Sequence, residues 1–538
     1  MKKIFSLLLL VFAFIVTNAQ NNINLIENSK NGYKKESLGD SVNSSDGELL
    51  PVISADGKTL IFCINGHPEN VGGYGEDIWA SKWNAKGYWQ KAKNLGKPLN
   101  NDSNNSVFGF SPDGNSIFVM GEYNDDGSHK AGGVSVSTAT ANGWSVPQRL
   151  EIEDYYNDSH FANYCLSPAQ NAIIMAVQRK ESTGLSDLWV SFRETEFKWS
   201  KPLNMGAVLN STQHEASPFL AADNKTLYFA SNGHPGYGSF DLFVSKRLDD
   251  TWTNWSVPQN LGSEINTTKL EAFYTIPASG EYAYLVSEDN SIGGTDIFKI
   301  KLPQSAKPDP VILVYGKVSY TDGTPIDADI IYKEEGSTQE GIAKSNSSTG
   351  EYKIVLLSGK KYQITFTGAT IVEKTEKIDA TAYKEYTEIE KNYILAKKKV
   401  SSVADNSSEI TSNTNSSTET NASGGIDNYK PTAVYFDYKL AELTTKAKAE
   451  LDKLSDFLLK NATKKVSLFG HTDSKGENEA NITLSNERTQ AVKSYLEAKG
   501  IGANRISIQS FGEEKPAKSN DSDKGRALNR RVEINLAE

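Results

Sequence analysis

Cysteine is nearly missing from this chain: there are two, Cys63 and Cys165, in 538 residues. They fall at different strand positions of non-neighbouring repeat units. Two separate small buried side chains are therefore expected, without a bridge or a catalytic thiol. Histidine is also scarce, at six. His67, His160, His214 and His234 lie scattered without the spacing of a ligand set, so no metal and no cofactor is expected. Basic charge is in deficit. Lys and Arg number 57 against 67 Asp and Glu, the net charge is −10 and the pI is near 5.4. A nucleic-acid binder needs a basic footprint, and this chain lacks one. Long apolar runs are missing beyond Val16, so no later segment can span a bilayer as a helix. The series of long alternating strands that marks a membrane barrel is missing as well. No G-x-S-x-G and no H-E-x-x-H occurs, and no enzyme is expected.

What is present begins with Lys2 and Lys3, an apolar run from Ile4 to Val16, and Thr17-Asn18-Ala19-Gln20. This reads as a secretory signal peptide over residues 1–19, cleaved after Ala19. No Cys follows, so no lipid anchor is expected there. The mature chain should be exported, with no transmembrane span.

Residues 30–305 repeat. The turn Ser54-Ala55-Asp56-Gly57 returns as Ser111-Pro112-Asp113-Gly114, then more weakly around Ala169, Asp223 and Ser279, at spacings of 57, 56, 54 and 56. A strand-like run follows each turn, and a second carries Asp-apolar-aromatic, as in Asp77-Ile78-Trp79 and Asp241-Leu242-Phe243. The second unit departs, with Val134-Ser135-Val136. Units of short strands at a fixed period must stack to bury their faces. Five of them predict a five-bladed β-propeller. The last unit lacks one strand, and Tyr33 to Gly39 supplies a matching sequence that would complete it. Glu215, Glu271, Asp241 and Asp296 recur by repeat, which favours loop hydrogen bonding over acid–base pairs. Asn124-Asp125-Asp126-Gly127 lacks the later ligands of a calcium loop and reads as a turn. These units resemble the WD40-like, TolB-type propeller repeat.

From 310 to 398 short strands alternate with turns such as Asp322-Gly323-Thr324-Pro325, predicting a small β-sandwich. The order G-x-V, G-x-P-x-x-A, G-x-Y, G-x-x-Y resembles the carboxypeptidase regulatory-like, transthyretin-like fold. It reads as a spacer or a protein-contact module. Residues 399–427 are nearly all Ser, Thr, Asn, Ala, Gly and Glu and predict a flexible tether spanning roughly 25–30 Å.

The last stretch, 428–538, carries Phe469-Gly470-His471-Thr472-Asp473, Asn481-x-x-Leu484-Ser485-x-x-Arg488 and Asn529-Arg530-Arg531. Periodicity predicts a helix over 444–459, Gly500 is the stop signal of a second helix over 485–499, and strands are expected at 433–437, 465–469, 506–510 and 531–535, an α/β domain of order βαβαββ. The three ordered motifs resemble the OmpA-like peptidoglycan-binding domain. The resemblance implies a pocket for the diaminopimelate of a peptidoglycan stem peptide, with Asp473 on its amine and Arg488 on its carboxylate. Charge matching of this kind suits a carboxylate and a bidentate guanidinium. Asn481, Asp437 and Arg530 are implied at the rim. Thr489 stands where the family commonly has Ala. The fold class is thus multidomain and mainly β: five-bladed propeller, transthyretin-like sandwich and C-terminal α/β OmpA-like domain.

The combination resembles accessory proteins of Bacteroidota-type envelopes, including peptidoglycan-anchored parts of type IX secretion and gliding machinery, though their helical repeat domain is absent here. It implies a periplasmic, outer-membrane-associated scaffold that holds peptidoglycan at one end and an outer-membrane or periplasmic protein partner on the propeller. A wall-active hydrolase or lyase, or a glycan-binding propeller, are the alternatives.

Overall fold

A computed structural model describes residues 23–27, 34–140, 143–368, 371–398 and most of 431–537. The expected signal peptide and tether lie outside the described residues. The chain divides into two compact units, 1–404 and 405–538. Strands dominate, and three α-helices, all in the second unit, occur among the described residues. None is long and apolar enough to cross a membrane.

The repeats of the first unit fold into five separate antiparallel sheets. Sheet one is Gly47–Ile53, Thr59–Asn65, Glu76–Lys82 and Lys93–Asn94. Sheets three and four follow the same order from Asn163–Leu166 and Glu215–Leu220. Sheet two departs through a longer third strand, His129–Thr140. Sheet five contributes Glu271–Thr275, Tyr282–Ser287 and Asp296–Lys301, and Glu36–Ser37 completes it, with Glu36 opposite Lys299. The completing strand anticipated before Gly39 is in place. The first strands of the five sheets neighbour one another in cyclic order, with sheet five returning to sheet one.

Local chemistry explains the repeat. The turn after each first strand needs one left-handed residue: Gly57, Gly114, Gln170, Asn224 and Gly280 all have φ between +55° and +78°. Gly and Asn tolerate that region best. Asp56 and Asp113 cap the same turns, each accepting from the serine two residues earlier and from an amide two residues later. The later Asp of sheets one, three, four and five shapes the loop that precedes its own strand. Asp77 accepts from Val71 N at 2.6 Å, Asp187 from Thr183 N at 2.7 Å, Asp296 from Ile292 N at 3.0 Å, and Asp241 from Tyr237 N. These carboxylates are buried structural acceptors, as their repetition suggests.

The same loops join sheet to sheet. A Cβ on Gly238 would lie 2.3 Å from Thr267 O, and one on Gly293 2.1 Å from Asp46 O. Each loop therefore rests on the connector into the next sheet, and Gly293 does so across the return from sheet five to sheet one. One feature is unannounced by the sequence. Asn24 to Ile26 runs along the outer strand of sheet four, with Asn260 N donating to Asn24 O at 2.7 Å and Ile26 N to Asn260 O at 3.0 Å. Ile26 is buried in the adjoining core. Cys63 and Cys165 are buried and unbridged, as expected.

Residues 311–394 form two four-stranded sheets around one core that includes Ile312, Val314, Tyr352 and Phe366. This region is no free spacer. It touches the turn of every one of the five sheets. Lys353 Nζ meets Asp56 at 2.6 Å, Lys344 N donates to Asp113 at 3.1 Å, and Gln170 donates to Ile342 O at 3.0 Å. Asp309 N donates to Asp223 at 2.8 Å, and Ala278 packs with Val311, Leu313 and Val355.

The second unit is a four-stranded sheet in the order Val434–Tyr435, Arg531–Ala537, Lys465–Gly470, Ile506–Ser510. Its first helix, Thr445–Lys460, is capped by Thr444 Oγ1 accepting from Ala447 N. It buries Ala447, Leu451, Leu454 and Leu458 at helical spacing. Two corrections apply. The second helix is Asn478–Ala498 and starts seven residues earlier than expected. A third helix, Asp523–Asn529, precedes the last strand, so the order is βαβαβαβ. At seven residues and polar in composition, it has too little apolar pattern to be read from sequence.

Candidate functional site

The strand Lys465–Gly470 alternates buried and open residues and ends at His471. Gly470 is required there. A Cβ would sit 2.2 Å from Ser485 O, so the second helix lies directly on the strand end. Gly512 N donates to Ser485 Oγ at 3.1 Å, and Thr472 N to Gly512 O at 2.9 Å, which closes the joint. Thus the glycine of one motif and the serine of the next form a single contact. Thr489 fits at it. Its hydroxyl donates to Asn486 O at 2.8 Å and its methyl faces Gly470.

Arg488 lies in the third turn of its helix, not the first as expected, because the helix starts earlier. It is fully buried. Its Nη1 donates to His471 O at 3.0 Å and its Nε to Leu440 O at 2.8 Å, with the guanidinium 5.2 Å from the Phe436 ring. Asp473 is 2% exposed. Its Oδ1 accepts from Lys475 N at 3.1 Å. Its Oδ2 accepts from Arg530 Nη1 at 2.9 Å. Arg488 is thus tied to the backbone of His471, two residues before Asp473, and among the described residues Asp473 forms its ion pair with Arg530. Separation along the chain hides this pairing, since Arg530 stands 57 residues from Asp473.

Asn481 is buried and donates to Glu513 at 2.6 Å. Asp437 lies outside the described residues. Asn529 is structural: its side chain exchanges 2.8 Å hydrogen bonds with Lys518 N and O and holds that loop. Arg531 pairs with Glu533 and reaches Lys515 O.

His471 belongs to the first of the three motifs. Its imidazole stacks on Phe511 at 5.4 Å. Burial, then the nearby Arg531 cation, pushes its pKa down to about 4. It is neutral at physiological pH. Both ring nitrogens and Thr472 Oγ1 are buried without a hydrogen-bond partner among the described residues. Buried polar groups are ordinarily paired, so three orphans at one strand end mark an unusual place. No group of His, Cys, Asp and Glu suited to a metal occurs among the described residues.

The arrangement is a carboxylate and two guanidiniums converging where a strand, a helix and a loop meet. It can hold a small group bearing opposite charges. Residues 435–530 match the model of the OmpA family. Among its relatives, the peptidoglycan-associated lipoprotein of Buchnera aphidicola subsp. Baizongia pistaciae is 33% identical over 105 residues, 20% of this chain and 61% of that protein. That of Pasteurella multocida is 39% identical over 99 residues, 18% of this chain and 66% of that protein. The chain thus spans less than two thirds of either relative's own length. The crystal structure of the peptidoglycan-associated lipoprotein from Burkholderia pseudomallei is 28% identical, covers 20% of this chain and 89% of that one, and has a TM-score of 0.19.

Proposed function

We propose that this chain is a non-enzymatic scaffold of the cell envelope that binds peptidoglycan through residues 428–538. The observation that carries this reading is the placement of Arg488, bonded to His471 O, and of Asp473 just past the end of the same strand, inside the segment that matches the OmpA family. Asp473 takes the ammonium of a diaminopimelate stem peptide, and Arg488 its carboxylate, with Asn481 and Arg530 around them; Asp437 is assigned to the same ligand. A carboxylate has about four lone-pair positions. Asp473 uses one oxygen for Arg530 and one for an amide, so it keeps capacity for a ligand.

The five sheets are the blades of a five-bladed propeller that holds an outer-membrane or periplasmic protein partner, and residues 310–398 are a regulatory-like sandwich. The cyclic neighbouring of the first strands and the completion of sheet five by Glu36–Ser37 support this. The chain acts in the periplasm. Sedimentation of the full chain with purified sacculi tests the reading. Wild type should pellet, and Asp473→Ala and Arg488→Ala should each lose at least tenfold in binding. If both variants pellet like wild type, the site is elsewhere.

A further inference from the structure

The ion pair between Arg530 and Asp473 carries a further step, which rests on the reading just proposed. Arg530 is fixed from two sides. Its Nη1 bonds Asp473 Oδ2 at 2.9 Å and its Nε bonds Phe436 O at 3.2 Å. Phe436 N in turn donates to Arg530 O at 2.9 Å, so backbone and side chain grip the same residue. The Arg530 side chain is 16% exposed and that of Asp473 only 3%. A carboxylate this enclosed would lose much of its hydration, and a cation beside it offsets that loss.

We propose that Arg530 is a positioning residue: it holds the Asp473 carboxylate aimed and paired with a cation, so that the site is ready for an ammonium group, while Arg488 alone meets the ligand's carboxylate. The division follows from geometry. Arg530 is spent on Asp473 and Phe436, and Arg488 approaches from the opposite element, the second helix. Charged and titratable groups of the described residues gather at the same strand end as Asp473. Its own segment supplies His471 and Lys475. The second helix supplies Arg488, and Asn481 brings Glu513. The final strand and its approach supply Arg530, Arg531 and Glu533, and the preceding loop supplies Lys515. His471 stays neutral between pH 5 and 8, because burial pushes its pKa down to about 4.

The consequence is a pH signature. With Arg530 in place, binding of the full chain to a soluble diaminopimelate-containing stem tripeptide should be nearly flat from pH 8 to pH 5. In Arg530→Gln the buried carboxylate has only an amide partner and takes up a proton more readily. A neutral Asp473 cannot hold an ammonium, so affinity should fall at least tenfold between pH 8 and pH 5. Arg530→Lys should restore the flat profile, and Asp473→Asn should bind poorly at every pH. Titration calorimetry reads all four. A flat profile at wild-type affinity in Arg530→Gln overturns the proposal. So does an equal loss at every pH, which would make Arg530 a ligand contact or a fold element only. If Arg530→Gln does not fold, Arg530→Lys decides alone: a profile as flat as wild type supports the proposal, and one that falls tenfold by pH 5 overturns it. Wild-type binding by both Asp473→Ala and Arg488→Ala would remove the ligand assignment itself, an outcome separate from these.

Discussion

At the scale of single residues, internal repetition supplies its own controls. Glu48, Glu215 and Glu271 hold equivalent places, opposite Ile64, Ser231 and Ser287. Glu215 Oε1 accepts from Ser231 Oγ at 2.8 Å, and Glu271 Oε1 from Ser287 Oγ at 3.3 Å. Where those sheets have serine, sheet one has isoleucine. Glu48 Oε2 is left buried without a partner, and burial raises its pKa from 4.5 to about 7. The sign follows. The folded state binds the proton more tightly than the unfolded one, so the contribution is full below pH 4.5 and is lost as pH rises through 7. The loss is of order 3 kcal/mol. Glu48→Gln should therefore gain on wild type as pH rises from 5 to 8, and Ile64→Ser should do so in part by donating the missing hydrogen bond. Thermal melts at both pH values check this, and parallel wild-type and Glu48→Gln profiles would contradict it. Thr472 permits a second test. Its hydroxyl has no partner among the described residues. An unpaired buried hydroxyl costs about 1–3 kcal/mol. Thr472→Val keeps the shape and should stabilise the second unit by roughly 1 kcal/mol. A lower melting temperature would show that the hydroxyl is satisfied.

At the scale of elements, the loops between second and third strands do two jobs. Their buried Asp fixes the loop, and their Gly lets it lie on the next connector. Gly238→Ala would place a methyl carbon 2.3 Å from Thr267 O, a backbone atom that cannot swing aside. A loss of about 2 kcal/mol or more is expected, in the range of overpacking. Gly132 has open space around it and no left-handed φ, so Gly132→Ala is the neutral comparison. Equal melting of the two variants would mean the loop contact is slack. These loops also show what sequence can carry. The Asp-x-aromatic strand and the Asp-Gly turn were legible because each answers a local demand that recurs, a cap or a positive φ. Glu36–Ser37 was legible because a repeat with a missing member asks for it. Asn24 to Ile26 was not, since three residues bonded by one neighbour leave no periodicity. In the second unit the first helix was legible as an amphipathic stretch and the end of the second through Gly500, but the start at Asn478 was not, because Asn478 to Asn481 carry no apolar pattern. The candidate site was half visible. Asp473 and Arg488 stood out through their motifs, while the Arg530 pairing depends on a chain crossing that only the fold supplies.

At the scale of the first unit, the region 311–394 and the five sheets behave as one body. Successive residues of the strand Val311–Ser319 make this plain. Ile312 and Val314 face the region's own core, whereas Val311 and Leu313 join Ala278 and Val355 against the sheets' turns. Alternation along one strand therefore divides its burial between two neighbours. Sequence could show that both faces are apolar but not what the second face meets. Around this apolar seat stand the contacts from Asp56, Asp113, Gln170 and Asp223, one from each remaining sheet. Most are single hydrogen bonds, individually worth about 1 kcal/mol. The apolar seat and their number together make the contact cooperative. Leu313→Asp attacks the seat alone. It introduces a charge at a position 1% exposed and leaves Ile312 and Val314 on their own core. Burying an unpaired carboxylate costs several kcal/mol, more than the seat can absorb. Calorimetry of the full chain should show the first unit of wild type melting in one transition, apart from the second unit. In Leu313→Asp that transition should split in two, as the region and the sheets lose each other while each keeps its own core. An unsplit transition at an unchanged temperature would mean that the seat contributes nothing, and that the two regions are joined only by the chain between them.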